Sequence, residues 1–512
     1  MGYRLIELEM PTGYTDAELK HRIARDLRTN DFTWQIESKS LDARKKNRIH
    51  WLLRVAVHSA VLPGKEPETV QPLQIMHKPR KSRVVVAGSG PAGFFAALVL
   101  QLAGFDTILL ERGAGVEERV GGIETFERTG TFSPVANYAF GEGGAGTFSD
   151  GKLTSRSKHI SAEREFFISE YIAAGAPPEI RYMTHPHVGS DNLRLVVKNL
   201  RERYRSLGGE IRFRTTLDDL VVVNGRVTEA VAGGEFIPAE HFIIAPGHSA
   251  YETYRMLMAR GVAFRTKNFA IGSRAEHTQE AINRAQWGRS SLPGVKAAEY
   301  RLTSEGDGKH PVYSFCMCPG GMVVPAATYP HLNIVNGMSN YRRNGSFANA
   351  GFVAGVHPDQ LAGRTVTPLE ALQWLEDLEH SFFTATGGFA APFCTMAGFL
   401  SGREPREIPA SSYPLGLVPA PLYDLLPAVV TAALREGLKD FERRLPGYGD
   451  GILLGLESKT SSPIQVLREP GGLCTGFENL AIAGEGSGYA GGIVSSAADG
   501  IRIALRLAGS GG

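Results

Sequence analysis

The sequence is poor in the features that mark several protein classes. Only four cysteines, Cys316, Cys318, Cys394 and Cys474, occur in 512 residues. That is too sparse for a disulfide scaffold, and no paired C-x-x-C stands ready for zinc, so no metal is expected. A reducing, cytoplasmic setting fits this cysteine usage. The first residues, "MGYRLIELEMPTGY", lack a basic stretch followed by an apolar one, so no secretory signal is expected. No repeat recurs at solenoid or propeller period. The longest apolar run, residues 84–105, carries Gly-Ser-Gly-Pro-Ala-Gly inside it. That interruption makes it strand, tight turn and helix rather than a membrane span. Net charge is only +2. It is uneven, because residues 1–83 hold 16 Lys and Arg against 10 Asp and Glu. Such an excess reads first as a solvated face.

Glycine is abundant, at 60 residues, and it falls into three G-x-G-x-x-G patterns: at Gly88, Gly90 and Gly93, at Gly141, Gly143 and Gly146, and at Gly486, Gly488 and Gly491. Only the first has the whole apparatus of a dinucleotide site. An apolar strand runs into it, a helix follows, and a second strand, "TILLE", ends on Glu111, 18 residues past Gly93. Gly88 permits the tight turn, Gly90 lets backbone approach a pyrophosphate, and Gly93 lets the helix pack close on the strand. Pro91 and Ala92 open that helix, whose N-terminus favours phosphate. Glu111 is placed to accept ribose hydroxyls. The third pattern sits between a strand and the last helix, with no second strand to follow. The middle one is embedded in the polar, turn-rich "FGEGGAGTFSDGKLTSR" and reads as backbone lying against the same cofactor.

The expected fold is α/β, a discontinuous Rossmann-like nucleotide-binding domain with an inserted α+β substrate domain and a small N-terminal βαββ domain. The expected boundaries are 1–61 for the βαββ unit, 62–82 for a proline-bearing linker, 83–255 and 451–512 for the two parts of the nucleotide-binding domain, and 256–450 for the insertion. Asn224-Gly225 signals a hairpin. Segments "GVKAAEYRL", "PVYSFCMC", "GMVVPAA" and "LNIVNGMS" read as strands, and helices are expected near 368–385 and 425–444.

These elements carry a resemblance. The N-terminal βαβ with Glu111, the strand ending Ala245-Pro246-Gly247, and the C-terminal strand into Gly484-Glu485-Gly486 resemble the glutathione-reductase-like FAD superfamily in its fumarate-reductase-type form. Stretches such as "PPEIRYMTHPHVGSDNL", "YSFCMCPGGMVV" and "GEGSGYAGGIVSSAADG" resemble a bacterial group of FAD-dependent dehydrogenases without assigned substrate. The resemblance implies non-covalent FAD. It implies that Gly88, Gly90, Gly93 and Glu111 bind the ADP half, with Arg112 and Arg119 reaching a ribose or phosphate. Gly143, Gly144, Gly146, Thr147, Ser149 and Asp150 would form part of the cofactor wall. Ala245 and Gly247 would line the crossing point. Glu485 would hold the ribityl chain, and Gly484, Gly491, Gly492 and Ile493 would sit at the flavin end. This chain departs from the group at Lys459 and Gln465, where the group carries Arg, and near Cys394, where Gln is usual.

The implied activity is hydride transfer between a small organic substrate and flavin N5, with NAD(P)H open as a transient electron donor. A general acid or base is expected near the flavin. Glu457 and Lys459 in "ESKTSSP" rank first, followed by Lys152 and His277; His185, His187, His248 and Glu276 are further candidates. Two rival classes stay open. One is a flavin monooxygenase or tailoring enzyme, against which stand the lack of a proline-rich continuation after "GEGSGYAGG" and of a Trp-x-Trp pair. The other is an RNA-modifying or RNA-binding flavoprotein, for which "KSLDARKKNR" is the anion contact but no aromatic array accompanies it. The Cys316-x-Cys318 pair reads as two buried residues of an extended strand, too far apart for an easy disulfide. Neither membrane nor nucleic acid is an expected partner.

Overall fold

The computed structural model describes residues 2–67, 71–155 and 157–510. Residues 68–70 of the expected linker and Arg156 of the middle glycine stretch lie outside them, as do the first residue and the last two. Among the described residues, no helix is long and apolar enough to cross a membrane.

The N-terminal unit is βαββ. Strand Gly2–Pro11 lies beside His50–Ser59, which lies beside Thr33–Asp42, all antiparallel. Thr15 starts the helix Asp16–Leu27 by a capping box. Its Oγ1 accepts from Glu18 N at 3.3 Å, and Glu18 Oε2 accepts from Thr15 N at 2.7 Å. Leu19 and Ile23, one helical turn apart, pack on Leu53, Val55 and Val57. The outer strand Thr33–Asp42 is not left open to water along its length. Lys39 N donates to Tyr182 O at 2.9 Å and Thr184 N donates to Lys39 O at 3.0 Å. Two backbone bonds thereby seat this unit on the rest of the chain.

Five parallel strands form the central sheet, in the order Leu480–Ile482, His241–Ile244, Arg83–Ala87, Asp106–Leu110, Glu210–Arg212. The last strand in sequence thus pairs at the edge beside a strand from mid-chain, so the fold is discontinuous. Val84, Val85, Val86 and Ala87 are all buried, as expected of a parallel strand covered on both faces. Helix Pro91–Leu102 covers one face, and helix Ile493–Ser510 packs against it. The two approach so closely that a Cβ on Gly500 would stand 2.0 Å from Ala92 O. A three-stranded antiparallel sheet, Leu217–Val223, Arg226–Ala232 and Glu235–Pro238, covers the other side. Asn224 and Gly225 make its first turn, both with positive φ.

The inserted region is built on a mixed eight-stranded sheet. Its order runs Thr303–Ser304, Val312–Pro325, Phe347–Val356, Phe269–Thr278, Ile452–Glu457, Ala391–Thr395, Leu417–Pro419, with Val335–Met338 attached to Val312–Pro325. Helices Pro368–Thr386 and Ala428–Arg444 stand where the apolar spacing expects them. The expected strand over 294–302 does not form; only Thr303–Ser304 pairs. Side chains take the place of a ladder there. Ala298 N donates to Asn283 Oδ1 at 2.9 Å, and Ala298 O accepts from Gln279 Nε2 at 3.1 Å.

Candidate functional site

Four parallel strands end on one cavity. Gly88 follows the strand Arg83–Ala87, Glu111 follows Asp106–Leu110, Ala245 follows His241–Ile244, and Ala483 follows Leu480–Ile482; all four residues line it. This is where an open parallel sheet binds ligand, because the strand ends and helix N-termini leave backbone groups unpaired there. The cavity measures about 1600 Å³ and runs on between the sheet, the inserted region and the N-terminal unit, whose Lys39 and Trp51 also line it. That exceeds the roughly 300–1,000 Å³ of an ordinary small-molecule site, so a dinucleotide and a second molecule fit together.

The glycine turn is tight. Gly88 has φ +100°, and a Cβ on it would meet Ala245 O at 2.2 Å. A Cβ on Gly93 would stand 1.9 Å from Gly88 O, so Gly93 is needed for packing and lies behind the wall rather than on it. Gly90, Pro91 and Ala92 line the cavity. Glu111 is buried, and its carboxylate orders the loops around it. Oε2 accepts from Ser89 N at 2.8 Å and Ser89 Oγ at 2.6 Å, while Oε1 accepts from Gly113 N at 2.8 Å and Gly141 N at 3.0 Å. Arg112 also lines the cavity, stacked 3.9 Å over the Phe140 ring and paired with Glu252.

The middle glycine stretch forms the expected wall, with a division of labour. Gly144, Gly146 and Ser149 face the cavity. Gly143, Thr147 and Asp150 do not. Gly143 N donates to Ser89 O, Thr147 Oγ1 donates to Glu142 O, and Asp150 is fully buried between Lys152 and Arg343. Arg119 is likewise set apart. It is completely buried off the cavity, and its guanidinium donates to the carbonyls of Asn137, Tyr138, Glu142 and Gly144, so it braces this loop from behind rather than facing a phosphate.

At the far end stand Glu485, Gly491, Gly492 and Ile493, at the N-terminus of the last helix. Glu485 Oε1 accepts from Gly492 N at 2.6 Å. Gly484 is not on the cavity, because a Cβ there would meet Ala92 Cβ at 2.6 Å. A Cβ on Gly247, Gly491 or Gly492 would meet nothing within 4 Å. These backbones border open space, and a planar cofactor edge can lie directly on them. The residues therefore fit FAD stretched from the first glycine turn to the last helix.

The expected acid–base candidates separate. Lys152 and Lys459 line the cavity; Glu457 and His277 do not. Lys152 Nζ lies 2.7 Å from Asp150 Oδ2 and donates to Met317 O. Burial is the largest influence and opposes its charge, but Asp150, Cys318 and Cys316 together hold the ammonium pKa above the usual value. Lys459 Nζ lies 2.7 Å from Glu379 Oε1 and from Tyr251 Oη. His248 Nε2 donates to Lys459 O at 2.6 Å; burial lowers its pKa and keeps the ring neutral. Glu457 is sealed in an ion pair with Arg274 at 2.5 Å; burial raises its pKa, and Arg274 opposes the rise. His277 is buried with Nε2 donating to Tyr448 O at 2.7 Å, which makes it a structural residue of the inserted sheet. Glu276 accepts from Ser411 and Ser412 and is structural too. His185 and His187 reach the rim, bonded to Glu299 and to Tyr341 O.

Two features lay outside the motifs. Arg274 has no local signature, since its partners Glu457, Asn336, Asn349 and Cys316 come from four other segments. Cys316 contradicts its extended reading. Its φ is +44°, it is only half-buried, and it lines the cavity.

The parallel sheet, the glycine turn and the shared cavity define a discontinuous Rossmann-like nucleotide-binding fold whose lining fits FAD. The model of a family described as "FAD-dependent protein, C-terminal domain-like" matches residues 268–460. The chain is 39% identical over 491 residues to an uncharacterized protein of Clostridium beijerinckii, covering 92% of this chain and 91% of that one. It belongs to the same family as that protein. Among solved structures, a geranylgeranyl bacteriochlorophyll reductase-like protein of Thermoplasma acidophilum is 15% identical, with 85% and 80% of the two chains covered and a TM-score of 0.37. L-proline dehydrogenase of P. horikoshii is 11% identical, with 85% and 95% covered and a TM-score of 0.35. These likenesses are loose, and nothing about the substrate rests on them.

Proposed function

We propose that the protein is an FAD-dependent dehydrogenase or reductase that passes a hydride between a small organic substrate and the flavin. One observation carries this reading: a single cavity joins the nucleotide turn at Gly88 to the helix N-terminus at Ile493, and continues past it into the inserted region. When bound there, FAD supplies the two-electron acceptor or donor. The chain supplies the rest. The N-terminus of Ile493–Ser510 stabilises negative charge on the pyrimidine edge of the flavin. Lys459, held by Glu379 and Tyr251, is the proton-holding group on the cavity in this reading, and Lys152, paired with Asp150, is a fixed positive charge on the same cavity. The space beyond, between Lys152 and the N-terminal unit, receives the substrate. On the same reading 1–61 acts as cover, 83–255 with Leu480–Ile482 and Ile493–Ser510 as FAD-binding domain, and 256–450 with Ile452–Glu457, which pairs into its sheet beyond the expected boundary at 450, as substrate domain, joined through 62–82.

The test is anaerobic. Protein carrying FAD is mixed with NADH, NADPH and metabolite pools, and flavin bleaching is followed. Bleaching by one small organic compound supports the dehydrogenase. A protein that stays colourless and takes up no FAD overturns the reading, while oxygen-coupled incorporation into a product shows a monooxygenase instead.

A further inference from the structure

We propose that Cys316 and Cys318 form a second redox centre, a dithiol that exchanges two electrons with FAD from the cavity wall. The inference rests on FAD occupying this cavity as proposed above. It begins with a backbone irregularity. In the strand Val312–Pro325 the pairing to Phe347–Val356 slips between Phe315 and Cys318. Cys316 sits in that bulge with φ +44°, a conformation rarely adopted outside glycine. Such strain persists only where the surroundings hold it. Here Arg274 Nη2 donates to Cys316 O at 2.7 Å, and Lys152 Nζ donates to Met317 O. Arg274 is in turn fixed by Glu457 and Asn349. Two cations, each anchored by a buried carboxylate, thus clamp the bulge from both sides.

The bulge does two things to the thiols. It turns Cys316 onto the cavity, where an unbulged strand would alternate, and it folds the Cys318 thiol back on the same residue: Cys318 Sγ donates to Cys316 O at 3.3 Å. Extended geometry, which holds sulfurs at i and i+2 apart, no longer applies. Arg274 Nη2 also approaches Cys318 Sγ at 3.6 Å. The Cys316 pKa is lowered, first by the thiol hydrogen bond from Cys318 and then by the charges of Lys152 and Arg274. The Cys318 pKa is raised by the same hydrogen bond and by burial. The two shifts run in opposite directions, so the shared proton is favoured on Cys318 and the negative charge on Cys316, the division that thiol–disulfide chemistry uses. Cys394 and Cys474 differ from Cys316. Both are buried off the cavity, and burial pushes each thiol up to about 12.

The pair also stands at the flavin end. Gly146 packs against Ile493, the first residue of the last helix, with 3.2 Å from a Cβ on Gly146 to Ile493 Cγ1. The same loop carries Lys152, which holds Met317 O. Cys316 therefore lines the same cavity as that helix N-terminus, within which the isoalloxazine would lie on the reading above. In the oxidising direction, the Cys316 thiolate and the Cys318 thiol join in one Sγ–Sγ bond. Two electrons and the Cys318 proton pass to oxidised FAD, which becomes its anionic reduced form, so atoms and charge balance. The reverse reaction reduces the disulfide.

The experiment counts electrons and thiols on the FAD-bound protein. After air oxidation, anaerobic titration with dithionite is expected to consume four electrons per FAD in the wild type, and two in Cys316→Ser and Cys318→Ala. Thiol titration after denaturation is expected to find two thiols in the oxidised protein and all four in the reduced protein. Protein that holds FAD, consumes two electrons and keeps four thiols after oxidation overturns the dithiol and leaves the flavin reading intact. Protein that binds no FAD overturns the flavin reading and this inference with it. The wild-type counts decide the matter alone if either variant fails to fold.

Discussion

Gly93→Ala is the sharpest perturbation of the nucleotide end. The new methyl would stand 1.9 Å from Gly88 O and 3.1 Å from the Ala245 methyl. An ordinary carbon–oxygen contact is about 3.3 Å, so the glycine turn must shift by roughly 1.4 Å or the helix must lift by as much. Either motion strains the bond from Gly88 N to Leu110 O, now 2.7 Å long. Overpacking of this kind costs about 1–3 kcal/mol, and the hydrogen bond adds about 1 kcal/mol. The cofactor should feel it more specifically. Moving the turn withdraws a backbone donor from a charged phosphate, worth about 1.5–3 kcal/mol, which is roughly a 10- to 150-fold weaker Kd for FAD. Quenching of flavin fluorescence on titration into FAD-free protein measures the affinity, and a thermal melt measures the stability. Gly121→Ala is the matched control. It lies in the helix Val116–Thr129, where the methyl meets nothing within 4 Å. It should leave FAD affinity unchanged and stabilise by about 0.5–1 kcal/mol. A Gly93→Ala protein that binds FAD within about twofold of wild type and melts at the same temperature refutes the packing argument.

Arg274→Met should be severe for stability, because it leaves the buried Glu457 carboxylate unpaired; the loss expected is about 3–5 kcal/mol, read as a urea midpoint shift. If Arg274→Met unfolds at the wild-type midpoint, Glu457 is not held as described. His187 gives a pH dependence. Burial, followed by the charge of Arg343, lowers its pKa to about 4, so between about pH 6.5 and 4 the unfolded chain binds a proton that the folded one does not. Stability is therefore lost as the pH is lowered through that window, by on the order of 3 kcal/mol relative to His187→Gln. Parallel pH curves for the two proteins would contradict this. Lys459→Met should slow anaerobic flavin reduction by about 10²-fold or more if Lys459 holds the transferred proton, with FAD affinity little changed. An unaltered rate moves that role elsewhere, to Lys152 or to water.

The nucleotide end was legible because its parts are neighbours in the chain. Strand, turn, helix, second strand and Glu111 fall within residues 83–111, and each imposes a local pattern of apolar run, glycine spacing and terminal acid. The N-terminal βαββ unit was legible for the same reason, down to Thr15 as the start of its helix. The expected strand over 294–302 failed because its residues alternate well enough but find side-chain amides of Gln279 and Asn283 instead of a neighbouring strand.

The side of the cavity facing the substrate was not legible, and the reason is sequence distance. Glu457 and Lys459 are two residues apart, yet one is sealed against Arg274, 183 positions away, while the other reaches the cavity. Asp150 and Arg119 share a motif region with true wall residues but turn inward to brace it. Cys316 shows the limit most plainly. Its sequence neighbourhood reads as a plain strand, and only the slip against Phe347–Val356, held by Arg274 and Lys152, rotates it onto the cavity. Local periodicity and glycine spacing therefore determined the Rossmann-like class and the dinucleotide turn. Which charged or sulfur-bearing side chain faces that cofactor was decided by long-range pairings, because desolvation leaves a buried charge no choice but to find its partner wherever in the chain it lies.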